Sequence, residues 1–193
     1  MKAVDRIRFL FRISGAQGIA RRYVVTNGFD GALTMLGLNM GFYASGGIAP
    51  TTAISACLGA AIALGVSGLT SAYVSEAAEK WRELRELERA LVRDMRDTEQ
   101  RRAAHLVPFL IAVVNGLSPL VVSLVIITPF WAAQAGIRLP VSPVEASIGL
   151  AFVAIFFLGV FTGRVSGVFW LWAGLRTLLI AFVTSSIIFF LAG

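Results

Sequence analysis

Four glutamates step through the charged middle of the chain at intervals of three, four and three: Glu76, Glu79, Glu83 and Glu86. On a helix, at about 100° per residue, that spacing sets all four carboxylates on one face. Two ExxE pairs in line are an oxygen-rich set of the kind that captures Mn²⁺ or Fe²⁺. The same residues also fit a solvated helix knitted by Glu76–Lys80 and Arg82–Glu86 pairs. A fifth carboxylate stands apart. Asp30 lies in NGFDGALTMLGLNMG, Asn27 to Gly41, a stretch apolar enough to enter a bilayer, with no basic residue between Arg22 and Lys80 to pair with it in sequence. A charge so placed costs about 2.5–3.5 kcal/mol on insertion scales and by default marks a functional position. Asn27, Thr34, Gly37 and Gly41 fall within about 60° of Asp30 on a helix, so one face is both polar and small. Such a face is expected to look at a cavity or another helix, with Gly37 and Gly41 as a GxxxG pair that lets two backbones approach. The alternative is that Asp30 caps a helix at the water boundary.

Other chemistries find little support. The chain holds one histidine, His105, one cysteine, Cys57, and no glycine-rich phosphate loop. Nucleophile–base pairs for proteolysis or group transfer are missing, so the chain is not read as an enzyme. His105 is expected as a helix-start or headgroup contact. Cys57 falls inside an apolar run, so no intrachain disulfide forms and compartment is not legible from redox chemistry. Trp81, Leu84, Leu87, Leu91 and Met95 trace a second face of the charged helix, suited to packing against a partner helix.

The elements that must carry these groups follow from hydropathy and charge. With 193 residues, 15% charged residues and a mean hydropathy of +0.79, the chain is expected to be one all-α membrane domain. Residues 1–22 form a basic leader with no cleavage pattern, and 2–15 suit an interfacial helix or a disordered arm. Five spans are expected, at about 24–43, 52–74, 105–131, 147–162 and 169–191, the third bent near Pro119 and Pro129. Residues 76–102 hold eight of the eleven acids and eight of the seventeen basic residues, and read as a water-facing charged helix and turn between the second and third spans. This arrangement places fifteen basic residues on one side, sixteen with Arg176, against Arg138 alone on the other. By the positive-inside rule the amino terminus is cytoplasmic and the carboxyl terminus outside. The formal charge of +6 then reflects topology, and no nucleic-acid partner is expected.

The first and last spans carry a resemblance. DGALTMLGLNMG from Asp30, YVS at Tyr73–Ser75, NGLSPL and TPF in the third span, and above all WLWAGLRTLLIAF from Trp170 make the chain similar to the vacuolar iron transporter family over nearly its whole length. The resemblance implies a five-span homodimer, joined through the first span, that exchanges cytosolic Fe²⁺ or Mn²⁺ for protons. It implies Asp30 as the pathway aspartate, with Asn27 and Thr34 beside it, and Glu76, Glu79, Glu83 and Glu86 as the first glutamate-bearing helix of a cytosolic metal-binding domain. Two Asp30 carboxylates brought together by dimerisation could trade protons for a cation. The metal is cargo, and no cofactor is implied. Two departures stand out. Gly68 and Ala72 occupy places where family members carry a methionine and a glutamate, and the charged segment has room for one extended helix where the family has three. A membrane scaffold or regulator that keeps the fold without the substrate site is therefore the competing expectation, as is transport of something other than a transition metal. The expected setting is a prokaryotic cytoplasmic membrane.

Overall fold

The computed structural model describes residues 16–91 and 98–192, and among them all regular structure is helical. The basic arm at 2–15 and Met95 lie outside the described residues. The helices are α1 (Ala16–Ala44), α2 (Pro50–Leu91), α3 (Glu99–Ile126), α4 (Thr128–Gln134), α5 (Pro143–Ser166) and α6 (Trp170–Ala192). Four of them, α2, α3, α5 and α6, are long and apolar enough to cross a membrane, which makes the chain an integral membrane protein. At 29 residues α1 has the length but not the apolarity, because Asn27, Asp30 and Asn39 interrupt it.

Several boundaries differ from expectation for local reasons. The helix that carries the second expected span does not stop at Val74. Residues 76–91 are strong helix formers with no proline or glycine, so α2 runs unbroken for 42 residues out of the apolar region into the charged one. The rest of the charged segment begins a new helix, with Thr98 as its N-cap accepting a hydrogen bond from the Arg101 amide at 3.4 Å. Near Pro129, where a bend is expected, the helix is interrupted at Ile127, and Pro129 takes the second position of the short α4, where a missing amide hydrogen costs nothing. α5 starts four residues earlier than expected. Ser142 and Glu145 form a reciprocal capping box around Pro143, and Gly167, at φ 72°, closes the helix in the left-handed conformation.

α1 is the hub. It packs against α3, α5 and α6 and more lightly against α2, while α2 with α3 and α5 with α6 form the other large contacts. The core gathers Met35 and Leu36 of α1, Ile126, Ile127 and Phe130 around the α3–α4 break, and Ile155 of α5. In a bilayer apolar burial drives little, so close backbone approach decides the packing. A Cβ on Gly31 would lie 2.7 Å from the Pro119 carbonyl oxygen, and one on Gly116 2.6 Å from that of Gly65. The break in α3 also frees a carbonyl at Ile126. Ser147 donates to it at 2.6 Å and accepts from Asn39 Nδ2 at 3.1 Å, tying α1 to α5 and α3 through a buried polar chain.

Candidate functional site

The side of α1 centred on Asp30 is the side its own chain leaves uncovered. Asp30 and Thr26 are exposed, and Thr34, Gly37 and Gly41 are only half-buried. The fully buried residues Gly28, Gly31, Ala32, Met35, Leu36 and Asn39 occupy the opposite side. Gly37 meets only the tip of Ile188 at 3.6 Å, and nothing lies within 4 Å of a Cβ built on Gly41. Within one chain, then, the expected GxxxG pair brings no backbone close. Gly31 does that work instead, against the Pro119 backbone, while Gly28 makes room for the Leu158 side chain. Asp30 does not cap α1 either, since it lies inside the helix, which already runs through the described residues from Ala16.

On the neighbouring turns the same helix makes specific polar links. The Tyr23 hydroxyl donates to Glu76 Oε1 at 3.0 Å, and Ser118 Oγ donates to the Val24 carbonyl at 2.6 Å. Asn27 Nδ2 donates to Asn115 Oδ1, and Asn115 Nδ2 donates in turn to the Gly68 carbonyl at 2.6 Å. Asn115 thus bridges α1 and α2 from α3, nearly inaccessible itself. A Cβ on Gly68 would stand 3.3 Å from the Asn115 carbonyl oxygen and 3.4 Å from its Nδ2. The Asn115 amide therefore fills the space a longer side chain at position 68 would need. Ala72, one turn on, is also buried. Neither position opens toward Asp30's exposed side.

The glutamate stripe is not a single solvent-facing row. Glu76 is buried and engaged by Tyr23, whereas Glu79, Glu83 and Glu86 are exposed. Glu83 Oε2 lies 2.6 Å from Lys80 Nζ, and Glu86 Oε1 accepts from Arg82 Nε at 3.0 Å. Burial raises the Tyr23 phenol above its usual range, and the hydrogen bond and negative charge of Glu76 push the same way. Among the described residues no three His, Cys, Asp or Glu side chains gather closely enough to hold a metal ion. The second face of the charged helix does find its partner, in α3 of the same chain. Trp81 and Leu84 pack on Ala104, the Trp81 ring meets His105 edge-on at 4.7 Å, and the Arg101 guanidinium lies 5.5 Å from the Trp81 ring centre. Leu87 and Leu91 remain exposed.

Three residues that the spacing of charges passes over turn out to organise the region: Tyr23, Asn115 and Asn39. Each is a polar group at an apolar position, which is the signal that marks them. Asn115 stands in the uncharged run between Ala103 and Ile137, and Tyr23 stands four residues before Asn27 on the same helix face.

No protein-family model matches the chain, and no solved structure matches it. One relative does, over most of both proteins. The uncharacterized protein MJ0645 of Methanocaldococcus jannaschii is 30% identical over 157 residues, spanning 80% of this chain and 78% of the relative. An integral membrane helix bundle sharing that much sequence over that much length with an archaeal protein belongs to its family, and the chain is a member of the MJ0645 family.

Proposed function

We propose that the chain is a five-span, dimeric, proton-coupled transporter that moves Fe²⁺ or Mn²⁺ out of the cytosol. One observation carries this reading: α1, which packs against four other helices, keeps on one face an exposed Asp30 with Thr34, Gly37 and Gly41 only half-buried around it. In a bilayer a carboxylate on that face has to be covered by protein or reached by water. A second copy docked through α1 does both. Asp30 of each copy then faces a shared path with Asn27 and Thr34 beside it. α1 supplies the fifth span, tolerated despite its polarity because other helices shield it. The charge distribution read above sets the amino terminus in the cytoplasm and the carboxyl terminus outside, in a prokaryotic cytoplasmic membrane. The likeness of DGALTMLGLNMG and WLWAGLRTLLIAF to vacuolar iron transporters supplies the substrate class. Within this reading Glu79, Glu83 and Glu86 are a weak antechamber for the cation, and Glu76 holds α1 against α2 through Tyr23.

A second reading has an observation of its own. Gly68 and Ala72 pack toward α3, and no ligand cluster forms among the described residues, which favours a scaffold that has kept the fold and lost the metal. Proteoliposomes loaded with a pH-sensitive dye separate the two. Addition of Mn²⁺ or Fe²⁺ is expected to drive proton movement with the natural sequence and none with Asp30→Asn, which keeps shape but not charge. Metal-driven proton movement undiminished in Asp30→Asn defeats the coupling role. No movement with either protein defeats the metal-exchange reading in favour of a scaffold or of another cargo.

A further inference from the structure

One other charge sits in an apolar span. Arg176, six residues into α6, is the sole charged residue after Arg164, and it is exposed. It makes no ion pair with any described residue. It opens onto a groove of about 650 Å³ between α5 and α6, floored by Phe29 of α1 and walled by Thr162, Ser166, Trp172 and Ile180. That volume falls within the ~300–1,000 Å³ typical of small-ligand sites. We propose that this groove binds an anionic glycerophospholipid, its phosphate on the Arg176 guanidinium and an acyl chain along Trp172 and Ile180.

The depth fits. Six residues at 1.5 Å each put the Arg176 Cα about 9 Å along α6 from Trp170, and the flexible stem of an arginine covers such a distance by snorkelling toward the headgroups. Trp170 and Trp172 at this end of α6 are residues enriched at that level of a membrane. A guanidinium offers two parallel N–H donors to a phosphate, which discharges the cost of an unpaired cation in the span. The groove's remaining polar atoms select the headgroup. Thr162 Oγ1 already donates to the Leu158 carbonyl at 2.9 Å, and Ser166 Oγ to that of Thr162 at 2.8 Å. Their oxygens are left as acceptors, suited to the hydroxyls of a glycerol headgroup, whereas a quaternary amine has no N–H to donate to them. Free phosphate would leave the apolar walls bare. A second copy in the groove would meet Arg176 with no carboxylate supplied by the α5–α6 face itself, which is basic at Arg164 and Arg176. The inference stands whether or not the chain moves metal.

The test uses the full-length protein in detergent with equimolar phosphatidylglycerol and phosphatidylcholine, read by native mass spectrometry. Phosphatidylglycerol adducts are expected to exceed phosphatidylcholine adducts by about tenfold, equivalent to about 1.4 kcal/mol. Arg176→Gln is expected to erase that preference, Arg176→Lys to keep part of it, and Arg138→Gln to leave it intact. Equal adducts of the two lipids with the natural sequence overturn the proposal, and so does a preference that survives Arg176→Gln. Displacement by inorganic phosphate alone, or a disulfide between two copies carrying Trp172→Cys, overturns it in favour of a bare anion or a second protomer. If Arg176→Gln does not fold, the lipid ratios of the natural sequence and of Arg176→Lys decide.

Discussion

The first and last helices have opposite relations to their own composition. α1 is interrupted by Asn27, Asp30 and Asn39, yet it is the helix the others wrap, with Met35 and Leu36 wholly buried. α6 is among the four helices apolar enough to span a bilayer, yet it lies at the edge, with Phe190 82% exposed. The difference teaches what hydropathy measures in a membrane bundle. Lipid is as apolar as leucine, so an outer helix must be apolar nearly all round, whereas a central helix can carry amides, a carboxylate and glycines because protein faces it. A hydropathy window therefore passes over a helix such as α1 that carries polar groups, while α3, apolar and well buried, is found as readily as α6 at the edge.

The sharpest way to break this comparison is to ask whether α1 crosses the membrane at all. Cysteines introduced at Gln17 and Ser45, both exposed and at opposite ends of α1, are expected to react with an impermeant thiol reagent from opposite faces of the membrane. Native Cys57 is buried and stays silent. Reaction of both from one face would remove α1 as a span, and the dimeric path with it.

Next in size is the contrast in packing. Gly31→Ala drives a methyl against the Pro119 carbonyl, where backbone cannot yield as a side chain tip would, and is expected to cost about 3 kcal/mol or to prevent folding. Phe190→Ala, far larger in atoms removed, is expected to leave the melting temperature in detergent nearly unchanged, because the ring is almost wholly exposed and loses an edge-on contact with the adjacent Phe189 ring. Comparable losses in the two variants would show that the hub and the rim are not distinguished by packing.

How much of this was legible in the sequence follows from the same physics. Helix, bilayer and the approximate location of the four most apolar helices follow from composition and from the ~20-residue length a bilayer demands. Helix ends followed less well. The apolar-to-charged junction at Val74 is a change of solvent and not of backbone, so α2 ignores it. Ser142-Pro143-x-Glu145 was a readable start signal. The Asp30 face was legible as polar and small, because helical spacing alone sets it. That Gly31 rather than Gly37 and Gly41 brings backbones together was not, since glycines on several faces of one helix look alike until the partner is known. The four-glutamate row was legible as a row but not as divided, because Tyr23, 53 residues away, is what buries its first member.

A smaller effect tests whether the amide bridge is what lets α1 be both polar and central. Asn115→Leu is close in volume but removes the links to Asn27 and to the Gly68 carbonyl, and leaves that amide pair buried beside an apolar side chain. A loss of about 2 kcal/mol is expected in reversible unfolding in detergent. An unchanged midpoint would mean that α1 is held by shape alone.

The smallest expected effect concerns the link between α1 and the charged end of α2. Tyr23→Phe deletes the hydroxyl that donates to Glu76 and leaves a buried carboxylate short of one donor. Because Tyr23 is only partly buried, water makes good some of the loss, and about 1 kcal/mol is expected at neutral pH. The pH dependence identifies the bond. Burial and Glu76 raise the phenol, so the folded protein holds this proton more tightly than the unfolded chain does. Its contribution is therefore fully present below the unfolded value of about 10 and is lost as pH rises through the higher folded value. The stability gap between the natural sequence and Tyr23→Phe should be constant from pH 7 to about 9 and then close. A gap that stays constant through pH 11 would separate the effect from the phenol's proton, and so from the bond to Glu76, and leave α1 and α2 joined at this end by Asn115 alone.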